Sequence, residues 1–267
     1  MPFTPSHVAA VLPLISSARA RRVLDPWALA LGAMVPDLPI FLPFLPDYPI
    51  WHSVQGAFTL DLAAVLLLAV LFHALLRDPL TALLPPALAA RAAALAPGGY
   101  GLRRLPAVAA GGVAGTLTHL FWDSFTHSYS SGLWGWAWLD VRAAGLVPVF
   151  RVLQYLSTAV GLVAVLWWAR RGLSRMEPRA LPERLVLPRA VRHGVLAAAA
   201  AATALGGLLW PVFFSPAGWA QTGTRVGTGA VVGCSVLLLC YAAVWWPAGR
   251  RLRGTIRAEV RGGGGRG

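Results

Sequence analysis

His119 and Asp123 stand four residues apart in HLFWD, inside an otherwise apolar run. On a helix that spacing sets both side chains on one face, where both can address a single ion. His7, Asp37 and His52 are further ionisable groups in or beside apolar segments. Charged groups at membrane depth are costly, so each is a candidate for function. Three imidazoles and two carboxylates suit a divalent cation such as Zn²⁺, Mn²⁺ or Fe²⁺. The carboxylates would neutralise its charge where the dielectric is low. Such an ion lowers the pKa of a bound water to about 7 and so prepares it for hydrolysis.

Other readings of the same residues stay open. A lone intramembrane His or Asp can simply hydrogen-bond a neighbouring helix, and His119 with Asp123 can form a polar clamp between helices. His52 can belong to an interfacial loop. His127, in SFTHSYSSG, fits a cap or a group supporting a ligand. Asp61 fits a supporting role or a charge favoured by a helix N-terminus. His73 and His193 border basic segments and read as interfacial or solvated. Arg151, Gln154 and Tyr155 open an apolar segment and could bind an anionic substrate group. Arg151 could equally snorkel to lipid headgroups.

These groups must be positioned by membrane elements. Of the 267 residues, 57% are hydrophobic and 12% charged, against about 25% charged in soluble proteins. Crossing a bilayer takes roughly 20 apolar residues. Residues 57–76, 106–125, 150–169, 193–214 and 226–246 qualify, as does 26–45 despite Asp37 between Pro36 and Pro39. Residues 5–18 are apolar but short, and suit a partial span or an interfacial helix. They make a poor signal peptide, since Arg19, Arg21 and Arg22 follow rather than precede them. The expected fold is therefore all-α: a polytopic bundle of about six full spans plus a short N-terminal helix.

The net charge of +13 comes from 23 basic residues, all of them Arg. Alternating the spans puts 20 of the 23 on one side. That is the positive-inside pattern of a multi-pass plasma-membrane protein with a cytoplasmic C-terminus. The charge thus reports orientation, and nucleic acid is not an expected partner; membrane lipids are. Trp51, Trp122, Trp134, Trp136, Trp138, Trp210 and Trp219 then fall near the outer boundary, as an interfacial belt. With this topology His7, Asp37, His52, His119 and Asp123 arrive from four segments at one outer layer. Residues 83–99 read as a short cytoplasmic surface helix, and the Gly-rich 250–267 as a disordered tail. Cys234 and Cys240, six apart in one apolar run, cannot bridge each other on a helix.

Several separated motifs occur in order: MPFTPSHVAAVLPL, GAMVPDLPIFL, WHSVQGAFTLDL, LFHALLRDPLTALLP, GTLTHLFWDSFTH and RVLQYLSTAVGL. Together they closely resemble the bacterial integral membrane family named domain of unknown function 4184, over residues 1 to about 170. Residues 1–170 would thus form the family-like domain, 171–249 an Arg-rich loop and two further spans, and 250–267 the tail. A looser resemblance reaches the membrane-bound metal-dependent hydrolases. It implies His7, Asp37, His52, His119 and Asp123 as the metal ligands. PDLP carries one carboxylate where that group has two, and WHSVQG one His where that group often has two, which tells against a two-metal site.

The residues and the looser resemblance point to a metal-dependent hydrolase at the outer membrane–water boundary, acting on a lipid-borne ester or phosphoester. The ion's bound water would be the nucleophile. An ion- or proton-linked binding or transport protein and a non-catalytic structural membrane protein are the alternatives. Against transport, no internal repeat is visible.

Overall fold

The computed structural model describes residues 3–95 and 101–263, and only the backbone of residues 219–220 and 248–263. The chain divides into two compact units, Met1–Val70 with Pro97–Arg175, and Leu71–Ala96 with Met176–Gly267. Both are helical. A two-stranded hairpin, Arg142–Ala143 against Val147–Pro148, is the one sheet among the described residues.

Among the described residues, four helices are long and apolar enough to cross a membrane: Leu60–Leu83, Val149–Arg175, Arg189–Phe213 and Gln221–Pro247. These correspond to four of the six expected spans. The other two differ. Residues 26–45 do not form one span but break into helix Pro26–Gly32, the 3₁₀ turn Val35–Asp37 and the short helix Leu38–Phe41. Proline explains the break, because Pro36 and Pro39 have no N–H to continue the ladder. Residues 106–125 do form a helix, Leu105–Asp123, but its apolar content is diluted by three glycines and by His119 and Asp123. The N-terminal segment is short, as expected: a 3₁₀ turn Thr4–His7, then helix Val8–Ser16.

In the first unit, Asp25 begins helix Pro26–Gly32 by accepting the Trp27 and Ala28 amides, each at 3.0 Å. That helix lies backbone to backbone against Leu105–Asp123. A Cβ on Gly32 would collide with the Gly112 carbonyl, and one on Gly115 with the Leu29 carbonyl. So close an approach requires glycine. Val11 and Ile15 pack with Leu29 and Ala33 on one side of this pair. Val65, Ala69 and Trp51 pack with Ala28, Val35 and Val108 in a second cluster. Trp51 is only 4% exposed, so it belongs to this core and not to an interfacial belt. Trp122, Trp134, Trp136 and Trp138 are exposed.

In the second unit, helices Arg189–Phe213 and Trp219–Gly263 meet through Gly206, Gly229 and Gly233, again with no room for a Cβ. A π-helical stretch, Phe72–Leu76, precedes helix Arg77–Leu83. Pro79 cannot donate to the Leu75 carbonyl, and the Trp246 indole does so instead at 2.9 Å. Asp78 is held by Arg77 and by Arg184 at 3.0 and 3.1 Å. The surface helix expected within 83–99 is present as Pro86–Ala92 with a 3₁₀ turn to Leu95, and residues 96–100 lie outside the described residues. The last helix continues to Gly263 through residues expected to be disordered. Arg, Ala, Leu and Glu there are good helix formers, and an established helix need only propagate. Residues 264–267 lie outside the described residues. Cys234 and Cys240 are free.

Two substitutions probe these contacts by thermal unfolding in detergent. Gly115→Val forces the paired helices apart and is expected to cost about 1–3 kcal/mol. Trp246→Phe removes the indole donor to the Leu75 carbonyl and should cost about 0.5–1.5 kcal/mol.

Candidate metal centre

The broken segment creates the site. In an unbroken helix the Gly32 carbonyl would accept from residue 36 and the Ala33 carbonyl from residue 37. Pro36 has no N–H, and the Asp37 amide turns instead to the Met34 carbonyl at 3.2 Å. The neighbouring helix supplies the missing donors. Thr116 donates to the Gly32 carbonyl at 3.3 Å and His119 Nδ1 to the Ala33 carbonyl at 2.8 Å. Since a carbonyl only accepts, Nδ1 carries the proton and Nε2 presents a lone pair. The same turn brings the fully buried Asp37 opposite His119.

His52 follows the short helix Tyr48–Trp51, anchored by the buried Trp51, while Ser53 caps the next helix at the Gly56 amide. His7 ends the Thr4–His7 turn. That turn is docked on helix Val149–Arg175 by the Phe3 amide, which donates to Thr158 Oγ1 at 2.9 Å.

Asp37, His52, His119 and Asp123 bring one ligand atom each to within 4.8 Å of one another. His119 Nε2 lies 3.3 Å from His52 Nε2, 3.3 Å from Asp123 Oδ2 and 3.6 Å from Asp37 Oδ1. His52 Nε2 lies 3.4 Å from Asp37 Oδ1 and 3.7 Å from Asp123 Oδ2. Ligands about 2.0–2.2 Å from a tetrahedral zinc ion stand about 3.3–3.6 Å apart. Five of the six edges of this set thus measure 3.3–3.7 Å. These five edges match that spacing, and the four atoms together lie close enough for one ion to be held among them.

The hydrogen bonding fits it as well. Asp37 Oδ1 and Asp123 Oδ2 are buried and have no hydrogen-bond partner among the described residues. Their other oxygens are engaged: Thr4 donates to Asp37 Oδ2 at 2.6 Å, and Thr126 faces Asp123 Oδ1 at 3.4 Å. Each carboxylate therefore keeps one oxygen for the convergence point.

His7 stands beside these four. Its ring stacks on His119 with centroids 3.8 Å apart, and its Nε2 lies 3.4 Å from Asp123 Oδ1, the oxygen facing away from the other ligands. His127 donates from Nδ1 to the Asp123 carbonyl at 2.9 Å and holds Nε2 3.7 Å from Asp123 Oδ2. Burial pushes the His127 imidazole below its ordinary pKa, keeping that lone pair available. Asp61 is fully buried with neither oxygen hydrogen-bonded among the described residues, and it interacts electrostatically with His52 and His119. Gln154 is buried and accepts from Arg151 at 3.2 Å, while Tyr155 is 55% exposed.

Two participants were not singled out in the sequence. Thr4 orients Asp37, and Tyr48 brings its hydroxyl 2.6 Å from His52 Nε2 with the two rings stacked at 3.7 Å. The usable signal for Tyr48 is its position four residues before His52, the helical spacing that also links His119 to Asp123.

The sequence matches the family described as domain of unknown function (DUF4184) over residues 1–243. The chain belongs to this family. The match carries the likeness well beyond residue 170, through the last apolar helices. No curated protein and no solved structure matches the chain. The Asp37, His52, His119 and Asp123 set is therefore argued from its own geometry.

Thr4→Val removes the hydroxyl that holds a buried carboxylate. It is expected to lower stability by about 1.5–3 kcal/mol, measurable by thermal unfolding in detergent.

Proposed function

We propose that this protein is a membrane-embedded, metal-dependent hydrolase of a bacterial plasma membrane. Its site lies at the outer membrane–water boundary and acts on a lipid-borne ester or phosphoester. The single observation carrying this reading is the near-tetrahedral convergence of His52 Nε2, His119 Nε2, Asp37 Oδ1 and Asp123 Oδ2. Two carboxylates balance a divalent charge, and zinc suits the spacing best, with Mn²⁺ and Fe²⁺ as alternatives. The placement in a membrane rests on the four apolar helices. On this reading the broken segment Pro26–Phe41 and helix Leu105–Asp123 would add two further membrane segments, and the Arg distribution favours a cytoplasmic C-terminus.

A bound ion of this kind acidifies water and polarises a carbonyl or phosphoryl oxygen. The chain's own groups do the rest. His119 is oriented by the Ala33 carbonyl and Asp37 by Thr4, so neither must reorganise during the reaction. His7 steadies Asp123 from its far side and is the fifth ligand candidate. His127 Nε2 and Asp61 are the groups available to accept a proton. Arg151 and Gln154 are candidates to meet an anionic substrate group.

Metal analysis of the purified protein tests the reading. Wild type should carry roughly one transition-metal ion per chain, and His119→Ala with Asp123→Ala should carry none. A wild-type protein free of transition metal would overturn it. Uptake should also fall as pH drops from about 7.5 to 5.5, because the imidazoles must be neutral to coordinate and protons compete for the same lone pairs. Metal content after equilibration across that range reads this directly.

The break at Pro36 and Pro39 favours one alternative, ion- or proton-linked transport, since transporters place interrupted helices at their binding sites. Flux into proteoliposomes that depends on Asp37 would support it. Metal-dependent turnover without flux would reject it.

A further inference from the structure

We propose that Asp61 is the hydrogen-bond acceptor for the Nδ1–H of His52, directly or through one water, and so sets which nitrogen of that ring faces the ion. This rests on the metal-site reading and assigns a positioning residue within it. Asp61 is fully buried, and neither of its oxygens has a hydrogen-bond partner among the described residues. His52 Nδ1 is likewise buried and without a partner among them. Asp61 stands in the first turn of its helix, where free amides favour a carboxylate, but it accepts from none of them. The helix end therefore does not account for it.

The groups that act electrostatically on Asp61 are His52 and His119. His119 has no nitrogen to spare, since Nδ1 donates to the Ala33 carbonyl and Nε2 is a corner of the ligand set. His52 Nε2 is a corner too, so the single proton of its neutral ring sits on Nδ1. A buried N–H without an acceptor and a buried carboxylate without a donor are both costly, and each supplies what the other lacks. A carboxylate on the far nitrogen of a metal-bound imidazole fixes its tautomer and makes it a stronger ligand. The fold brings the two segments together. Val65, four residues on from Asp61 and so on the same helix face, packs in one cluster with Trp51, the residue before His52. Val65 also abuts Gly112 of the helix that carries His119.

The test uses the full-length protein in detergent, with ¹⁵N-labelled histidine and bound Zn²⁺, followed by NMR of the ring nitrogens and by competition with a chelator. The His52 signals are those lost in His52→Gln. In zinc-loaded wild type, His52 is expected to bind through Nε2 and to carry a slowly exchanging Nδ1–H. Asp61→Asn keeps the shape of the side chain and removes its charge. It is expected to shift the His52 Nδ1–H resonance, leave that of His119 in place and weaken Zn²⁺ binding about 10–100-fold. Zinc bound through His52 Nδ1, or a rapidly exchanging Nδ1–H, overturns the proposal in wild type alone, whether or not the variant folds. Weaker zinc binding with an unchanged His52 resonance also overturns it, as the mark of a merely structural Asp61, and so does unchanged affinity. All of these leave the metal site standing. Failure of wild type to take up Zn²⁺ overturns the metal-site reading and this one with it.

Discussion

Two backbone carbonyls, those of Gly32 and Ala33, govern the arrangement of the first unit. Pro36 and the turn at Asp37 remove their helical donors, and a buried carbonyl without a partner is costly, most of all where water is excluded. Thr116 and His119 satisfy them from the neighbouring helix. Side-chain donors as short as threonine reach a backbone only when the helices nearly touch, which is the role of Gly32, Gly112 and Gly115. The hydrogen bond to Ala33 then fixes the His119 tautomer and aims Nε2 at Asp37 and Asp123. One structural necessity thus sets the helix spacing, the ring orientation and the chemistry. The second unit meets the same problem at Pro79, where the Trp246 indole takes the Leu75 carbonyl. There the donor has no further lone pair to offer, since an indole N–H only donates, so the repair stays structural.

Electrostatics explains why the cluster holds both carboxylates and imidazoles. Asp37 and Asp123 are fully buried, and isolated buried charges are strongly disfavoured. Thr4 and Thr126 address one oxygen of each carboxylate and leave the other bare. His52 and His119 hold their Nε2 atoms 3.3 Å apart and disfavour each other if both are protonated. A divalent cation among them would balance the two carboxylate charges and receive both imidazole lone pairs.

The pairing of His119 with Asp123 was legible because helical periodicity alone decides it, and the helix Leu105–Asp123 is regular to its last turn. The approach of Asp37, His52 and His7 was legible one level more coarsely, from the depth at which each segment ends. Depth does not specify direction, so it could not separate the four convergent groups from His7, which reaches the far oxygen of Asp123. Tyr48 and Thr4 escaped because a hydroxyl is ordinary in a loop, and its meaning comes only from the partner it reaches. Trp51 was misread for a related reason. An aromatic residue beside an apolar segment suits an interface, but packing against Ala28, Val35 and Val65 made it core.

The two expected spans that fall short are the same two that carry Asp37 and the His119–Asp123 pair. That coincidence has a physical cause. A helix facing lipid must be apolar over its central turns, as Val149–Arg175 is, with Val160, Val163 and Leu166 exposed. A helix holding ligands must admit carboxylates and imidazoles, and one that donates to a neighbour's backbone must admit glycines. Each of these residues lowers hydropathy, and the prolines that free the carbonyls shorten the helix as well. Leu105–Asp123 keeps its glycines, Thr116, His119 and Asp123 on its buried face. In a chain of this type, the apolar segments that fall short of a full span are therefore where a site should be sought first.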